Sequence, residues 1–444
     1  MSRGRGASRA LALGLALAVA TLAVATLAAE AQEVPPDRAG TGLETADSIR
    51  AALERPPGEQ PADWVDVAEL PLRVVGFPLS LVFVKLPGWL VGRVTAPRPP
   101  GFLLRAYRSV DAWGVRPTIR SSIGPRSAEA VELRLRRYEP FYLHTAFSRR
   151  GSQRHRAGVL LPGRRSVFAA EARWQRDAQV PFHGIGPDSD PARGLYRREY
   201  WDVGARGGFR PSRAWSFDLG AGFEDNRVGK PIWTDDATLE DRFDASGLYG
   251  ARERARYLRL DGAAALDLTR REGFQDRGAL FRFEAGAYRG VDGTDSDFHV
   301  LRGTALAYLP LNERQQLALR GLASVVRSDG GEGIPFYHLS TLGGEESAIG
   351  YPDWRFADND MLALQAEWRY EIWRDIHNLV RSEFFLSFGE GTVGPRLDRI
   401  GWGDWRPSYG IGARLAARDG LVGVAFLGWS DESLHVGLGG EWPL

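Results

Sequence analysis

Residues 361–373 read MLALQAEWRYEIW, and the fold turns on this stretch. In an extended chain successive side chains point to opposite faces. One face then carries Leu362, Leu364, Ala366, Trp368, Tyr370 and Ile372, and the other Ala363, Gln365, Glu367, Arg369 and Glu371. The pattern predicts a strand with one apolar face and one strongly charged face. It recurs over 256–269, where Leu258, Leu260, Gly262, Ala264, Leu266 and Leu268 oppose Arg259, Asp261 and Asp267. Over 280–289, Phe281, Phe283, Ala285 and Ala287 oppose Arg282 and Glu284. Trp215, Phe217, Leu219, Ala221 and Phe223 likewise alternate with Ser216, Asp218, Gly220 and Gly222.

Water-soluble β-sandwiches also alternate, but three features favour a membrane barrel. The segments reach or exceed the roughly 10 residues with which a tilted strand crosses a bilayer. Charges stand opposite apolar residues in mid-strand, as a polar lumen and a lipid-facing exterior require. Trp and Tyr gather near segment ends, as in 368–373, where interfacial girdles form. The alternation predicts sixteen strands, near 115–123, 129–138, 140–149, 155–162, 166–180, 194–210, 213–226, 256–269, 278–290, 298–309, 315–328, 361–373, 379–391, 406–418, 421–430 and 434–442. The even number suits a closed antiparallel barrel. Two connections, 229–255 and 329–360, are long enough to lie outside the barrel or to fold into its lumen.

The preceding residues have a different texture. Arg3, Arg5 and Arg9, the apolar run 10–27 and the small residues Ala29-Glu30-Ala31 predict a secretory signal over 1–31, with a retained membrane helix as the alternative. Residues 32–112 are expected to form a periplasmic linker and an apolar segment. The part before 69 is rich in Pro, Asp, Glu and Ala. The stretch 70–94 is apolar but broken by Pro71, Pro78 and Pro87, and suits either an amphipathic segment at the membrane face or a buried extended one. The barrel is expected over 113–444. Composition excludes more than it selects. The 57 basic and 56 acidic residues balance to +1, which gives no nucleic-acid bias. With no cysteine, disulfides, thiolate metal sites and a lipidated N-terminal cysteine are ruled out. The 53 Gly and 14 Trp suit tight strands and interfacial belts.

The second long connection carries the most specific signal. Residues 339–370, LSTLGGEESAIGYPDWRFADNDMLALQAEWRY, resemble the bacterial surface antigen family, the BamA/TamA class of outer-membrane barrels. In that family a loop of the form LGG…(V/I)RG(F/Y)…R(F/Y) precedes the twelfth strand and folds into the lumen. Gly343, Gly344, Gly350, Tyr351 and Arg355 match it here. Residues 182–188, FHGIGPD, are similar to the family's F(F/Y)GIG segment, and the final EWPL is similar to its terminal G-x-P-F. The resemblance covers about 115–444, and 70–94 more loosely.

Departures are concentrated on one contact. The family's loop arginine is Ile349 here, and the acidic position of its strand-thirteen F-x-D-x-G pattern is Ser387. Since an unpaired buried charge is costly, the loss of both partners reads as a replacement of the pair as a unit. Arg355 is then expected to reach Glu367 and hold the loop in the lumen, the alternative being one lumenal charge among many. Leu444 stands where the family's last residue is aromatic, and 32–112 lack the strand and helix alternation of the family's periplasmic repeat domains.

No catalytic pattern was found. G-x-S-x-G, H-E-x-x-H and G-x-x-x-x-G-K-[ST] are absent, and the seven histidines have no metal-ligand spacing. Asp235, Asp236, Glu240 and Asp241 depart from the EF-hand spacing and read as a solvated acidic loop. Asp188 with Asp190 reads as a turn, and Arg134–Arg137 and Arg149–Arg156 as solvated faces, loops or lipid contacts. The expectation is an all-β transmembrane antiparallel barrel in a bacterial outer membrane, not an enzyme, with no cofactor or metal. Its implied partners are outer-membrane lipid and client outer-membrane proteins or lipids, not nucleic acid. Its implied role is assembly or translocation, or alternatively that of a passive structural barrel or small pore that has lost that activity.

Overall fold

The computed structural model describes residues 115–120, 130–135, 140–252, 254–272, 275–331, 333–374, 380–417 and 420–439. The expected signal peptide, the 32–112 segment, Arg136 and Arg137 and the terminal EWPL lie outside the described residues.

Among the described residues the large sheet holds seventeen strand segments, sixteen of them at the places the alternation predicts. Those sixteen are β1 (Val115–Arg120), β2 (Ala130–Leu135), β3 (Phe141–Ser148), β4 (Gln153–Pro162), β5 (Ser166–Phe182), β6 (Gly194–Phe209), β7 (Trp215–Gly229) and β8 (Ala255–Asp267). After these come β9 (Gln275–Val291), β10 (Ser296–Pro310), β11 (Gln315–Gly331), β12 (Asp360–Arg374), β13 (Val380–Gly394), β14 (Arg406–Ala417), β15 (Gly420–Trp429) and β16 (Leu434–Gly439). A short piece, Arg270–Glu272, continues β8 beside the start of β9. Every strand pairs antiparallel with the next in sequence, from β1–β2 to β15–β16. Among the described residues no pairing joins β1 to β16.

The two faces of this sheet are inside out relative to a soluble protein. On β12 the charged face is the buried one, with Glu367 at 0% exposure and Arg369 at 2%. The apolar face looks outward, with Leu364 at 37% and, on other strands, Leu219 at 63% and Leu260 at 56%. A sandwich dissolved in water would bury the leucines and expose the charges. A barrel in lipid does the reverse, because the hydrocarbon is the apolar phase and the lumen the polar one. The chain is a transmembrane antiparallel β-barrel.

Connections alternate between the two ends of the barrel. One end carries 149–152, 183–193, 230–254, 292–295, 332–359, 395–405 and 430–433, and so both long loops. The other carries short turns such as 163–165, 210–214 and 311–314. Short turns face the periplasm and long loops the exterior.

Candidate functional site: a loop seated in the lumen

The β11–β12 loop folds inward and brings its own small core. Ser340–Leu342 pairs antiparallel with Phe356–Asp358, making a two-stranded ribbon. Leu342, Ala348, Tyr351 and Phe356 of the loop bury against Met361, Ala363 and Val393. The ribbon's tip is shaped by Gly343, whose φ of 132° is open to glycine, and a Cβ there would lie 2.2 Å from the Pro352 carbonyl oxygen. Gly344 closes the tip, donating its N–H to Tyr351 O at 3.0 Å and accepting from Ala348 N at 3.0 Å.

Gly350 lies where the loop meets the barrel wall. Its N–H donates to Ser408 Oγ at 2.8 Å, and its carbonyl accepts from Ser430 Oγ at 2.9 Å and Ser433 Oγ at 2.8 Å. A Cβ at this position would stand 2.1 Å from Trp429 O, so only glycine permits the approach. The next residue, Tyr351, donates its hydroxyl to Asp431 Oδ1 at 2.6 Å. The loop is thereby tied to β14 and to the β15–β16 turn.

Arg355 is buried, at 1% exposure, yet it does not pair with Glu367 as expected. Its Nε and Nη2 donate to the two carboxylate oxygens of Glu432 at 2.5 and 2.8 Å. Nη1 and Nη2 also reach Ser189 Oγ at 2.9 Å and Ser189 O at 2.6 Å. The guanidinium lies over the Phe356 ring, 4.3 Å from its centroid. Glu367 belongs instead to a lumenal network on the wall, accepting from Arg369 Nε at 2.6 Å and Arg414 Nη1 at 3.3 Å. Arg369 continues to Gln316, and Glu383 faces Arg381 at 3.0 Å. The physical reason is position. Glu367 lies in mid-strand, opposite Ala318 and Ser387, where wall arginines already satisfy it, while Arg355 sits at the outer end beside two rim segments.

Ile349 and Ser387, the two departures from the motif, come together. A Cβ on Gly410 would lie 3.0 Å from Ile349 Cδ1 and 3.4 Å from Ser387 Cβ. Ile349 is buried with Phe385, Val424 and Phe426, so an apolar contact fills the place where the resemblance puts an ion pair.

The FHGIG stretch docks on this loop from the β5–β6 connection. Gly186 N donates to Ala357 O at 2.8 Å, Ser189 receives Arg355, and Asp188 accepts from Arg406 Nη2 at 2.7 Å. His183 is buried, with Nδ1 3.1 Å from Pro191 O, in keeping with a structural role. The other long loop, 230–254, closes over the same end. Its Leu239, Ala245 and Ala251 pack with Val180, Phe182, Tyr196 and Phe336. Its Asp241 caps a short helical turn, accepting from Thr238 N and Oγ1 at 2.8 Å each, and Asp236 lies 3.7 Å from Arg193. Among the described residues no group of His, Asp or Glu is arranged to hold a metal ion. Arg154 and Arg156, in a stretch expected as a solvated face, a loop or a lipid contact, instead reach Gln175 (3.0 Å) and Glu171 (3.4 Å) on the neighbouring strand, because their alternation follows β4.

Sequence reasoning missed the rim partners. Glu432, Ser430, Ser433 and Ser189 sit in turns whose composition carries no signal for a partner far away in the chain. The loop's electrostatics were also not legible. Burial, with Asp353 and Glu346 nearby, pushes the Glu345 carboxyl up to about 7.

No protein-family model matches this chain, and no curated protein does. Solved structures do. BamA from Haemophilus ducreyi lacking POTRA domains 1–3 superposes over 76% of this chain and 75% of its own, with a TM-score of 0.52 and 14% identity. CdiB from Escherichia coli matches over 73% of this chain and 62% of its own, at 15% identity and a TM-score of 0.49. CdiB from Acinetobacter baumannii matches at 12% identity over 73% and 58%, with a TM-score of 0.45. The molecule is an outer-membrane β-barrel whose β11–β12 loop packs against Met361, Ala363 and Val393 of the wall. Within that class its fold is that of the BamA barrel.

Proposed function

We propose that the protein is an assembly or translocation barrel that acts on other outer-membrane proteins or on lipids, and that its lumen is not a standing pore. The observation that carries this reading is the seated loop. Gly350, Tyr351 and Arg355 fasten it to β14, the β15–β16 turn and the β5–β6 connection. A diffusion channel keeps a water-filled lumen, whereas here a bonded ribbon packs against the wall and the apolar cluster around Phe336 closes over one end. The resemblance of 339–370 to the surface antigen motif points the same way.

One observation favours the second reading, a passive structural barrel. Ile349 and Ser387 replace, with apolar packing, the ion pair that the resemblance associates with assembly barrels. Depletion of the protein in its host, followed by quantitative proteomics and lipid analysis of the outer membrane, separates the two. Selective loss of other barrels, or a shift in lipid distribution, is expected. An unchanged membrane would leave the passive reading standing and sink the first.

A further inference from the structure

Two adjacent turns at the short-turn end of the barrel concentrate positive charge. The β4–β5 turn holds Arg164 and Arg165, and the β6–β7 turn holds Arg210 and Arg213. All four side chains are exposed, and none has a carboxylate partner among the described residues. The turns are fixed to each other and within themselves. Arg210 N donates to Arg165 O at 2.7 Å, Gly163 N to Ser166 O at 2.7 Å, and Trp215 N to Ser212 Oγ at 3.2 Å. Asp267, hydrogen-bonded through its backbone N–H to Ala214, turns its carboxylate to Thr269 instead, at 2.9 Å from the amide. Four exposed cations on two adjacent, braced turns make a local excess of positive charge that an anion would neutralise.

The surroundings select the anion. Immediately above these turns the outward face is aromatic and apolar: Leu161, Phe168, Phe209, Trp215 and Phe217 are all exposed, and Trp215 stacks on Phe217 at 5.8 Å. Such a belt marks the depth of lipid headgroups. Guanidinium groups match phosphate oxygens in a bidentate fork, and basic clusters beside a membrane draw anionic lipid. We propose that Arg164, Arg165, Arg210 and Arg213 form a site for the phosphate of an anionic glycerophospholipid in the leaflet facing the short turns. The site is independent of the assembly reading, since it lies on the outer wall and not on the seated loop.

The test uses the full-length folded protein in neutral detergent, with retained lipid measured by native mass spectrometry. Cardiolipin, phosphatidylglycerol and phosphatidylethanolamine are offered separately, and inorganic phosphate is added as a competitor. Anionic lipid is expected to be retained over the zwitterionic one, and removal of all four charges (R164Q, R165Q, R210Q, R213Q) should cut that retention at least about tenfold. R149Q with R150Q, at the opposite end, should leave it unchanged. Heat-modifiable migration on a gel verifies folding. If the fourfold variant does not fold, R164Q with R165Q alone should give an intermediate loss. Equal retention in wild type and variant, no preference for anionic lipid, or displacement by inorganic phosphate at equal concentration would overturn the proposal.

Discussion

Arg355 and Glu432 share one bond but not one environment, and this fixes the sign of their mutational asymmetry. Arg355 is 1% exposed, whereas the Glu432 side chain keeps 22% of its surface. Removing Glu432 strands a buried cation with only Ser189 for a partner, and removing Arg355 leaves a carboxylate that water still reaches. Glu432→Ala is therefore expected to loosen the loop by about 3 kcal/mol and Arg355→Ala by about 2 kcal/mol, with the double variant below the sum. Hydrogen exchange of the 340–358 amides measures it, and a larger loss in Arg355→Ala would contradict the burial argument. The same logic applies to the motif's replaced pair. Ile349→Arg puts a charge among Phe385, Val424 and Phe426 and should cost about 3 kcal/mol, part of which Ser387→Asp should restore. If the second change gives no rescue, Ile349 and Ser387 are not coupled. The sequence marked Arg355, Ile349 and Ser387 through the family pattern, yet Glu432 went unseen. A glutamate in a Ser-Asp-Glu-Ser turn looks like any solvated turn residue, and its partner lies 77 positions away.

At the scale of the element, the strands were legible because alternation is local. Each residue needs only its own neighbours to show which face it occupies, and the predicted segments agree with β1–β16 to within a few residues. What alternation cannot give is the path of a loop, since contacts such as Gly186 to Ala357 join distant stretches. The seated ribbon should respond to pH through Glu345. Its carboxyl is pushed from 4.5 up to about 7 by burial, with Asp353 and Glu346 adding negative charge nearby. Arg320, which donates to Glu346 O at 2.5 Å, is the cation beside the neighbouring residue. A carboxyl whose pKa is raised on seating binds protons more tightly in the seated loop than in the released one. Seating is thus favoured below about 4.5 and weakens as pH rises through the window to about 7. Exchange of the loop amides, taken relative to their intrinsic rates, should accelerate as pH rises from about 4.5 to about 7 and level off above it. Glu345→Gln should flatten the change, and an unaltered profile in that variant would assign the dependence to another group.

For the whole molecule, the decisive property is that its polar surface is enclosed and its apolar surface is presented outward. Alternation and charge made this much readable, because a strand with Glu367 and Arg369 on one face and Leu364 and Trp368 on the other fits lipid outside and a polar lumen inside. Whether that lumen is filled depends on long-range seating, and it is there that the functional reading stands or falls. Gly350 is the position at which the seating can be undone with the fewest atoms, because a Cβ would meet Trp429 O at 2.1 Å and Ser430 N at 2.9 Å. Neither contact can relax as a flexible side chain would, since both atoms are backbone of the β15 end and its turn. Gly350→Ala should unseat the loop while leaving the lumenal network of Glu367, Arg369 and Arg414 in place, as those residues belong to the wall. In planar bilayers the wild-type protein is then expected to show low conductance with rare openings. Gly350→Ala, or replacement of 340–358 by a short Gly/Ser linker, should give a steady and several-fold larger current. A large steady current in the wild type would mean that the ribbon does not occlude the lumen and would favour a pore. Low conductance in all three would mean that the cap around Phe336 and Leu239 closes the barrel without the ribbon's help.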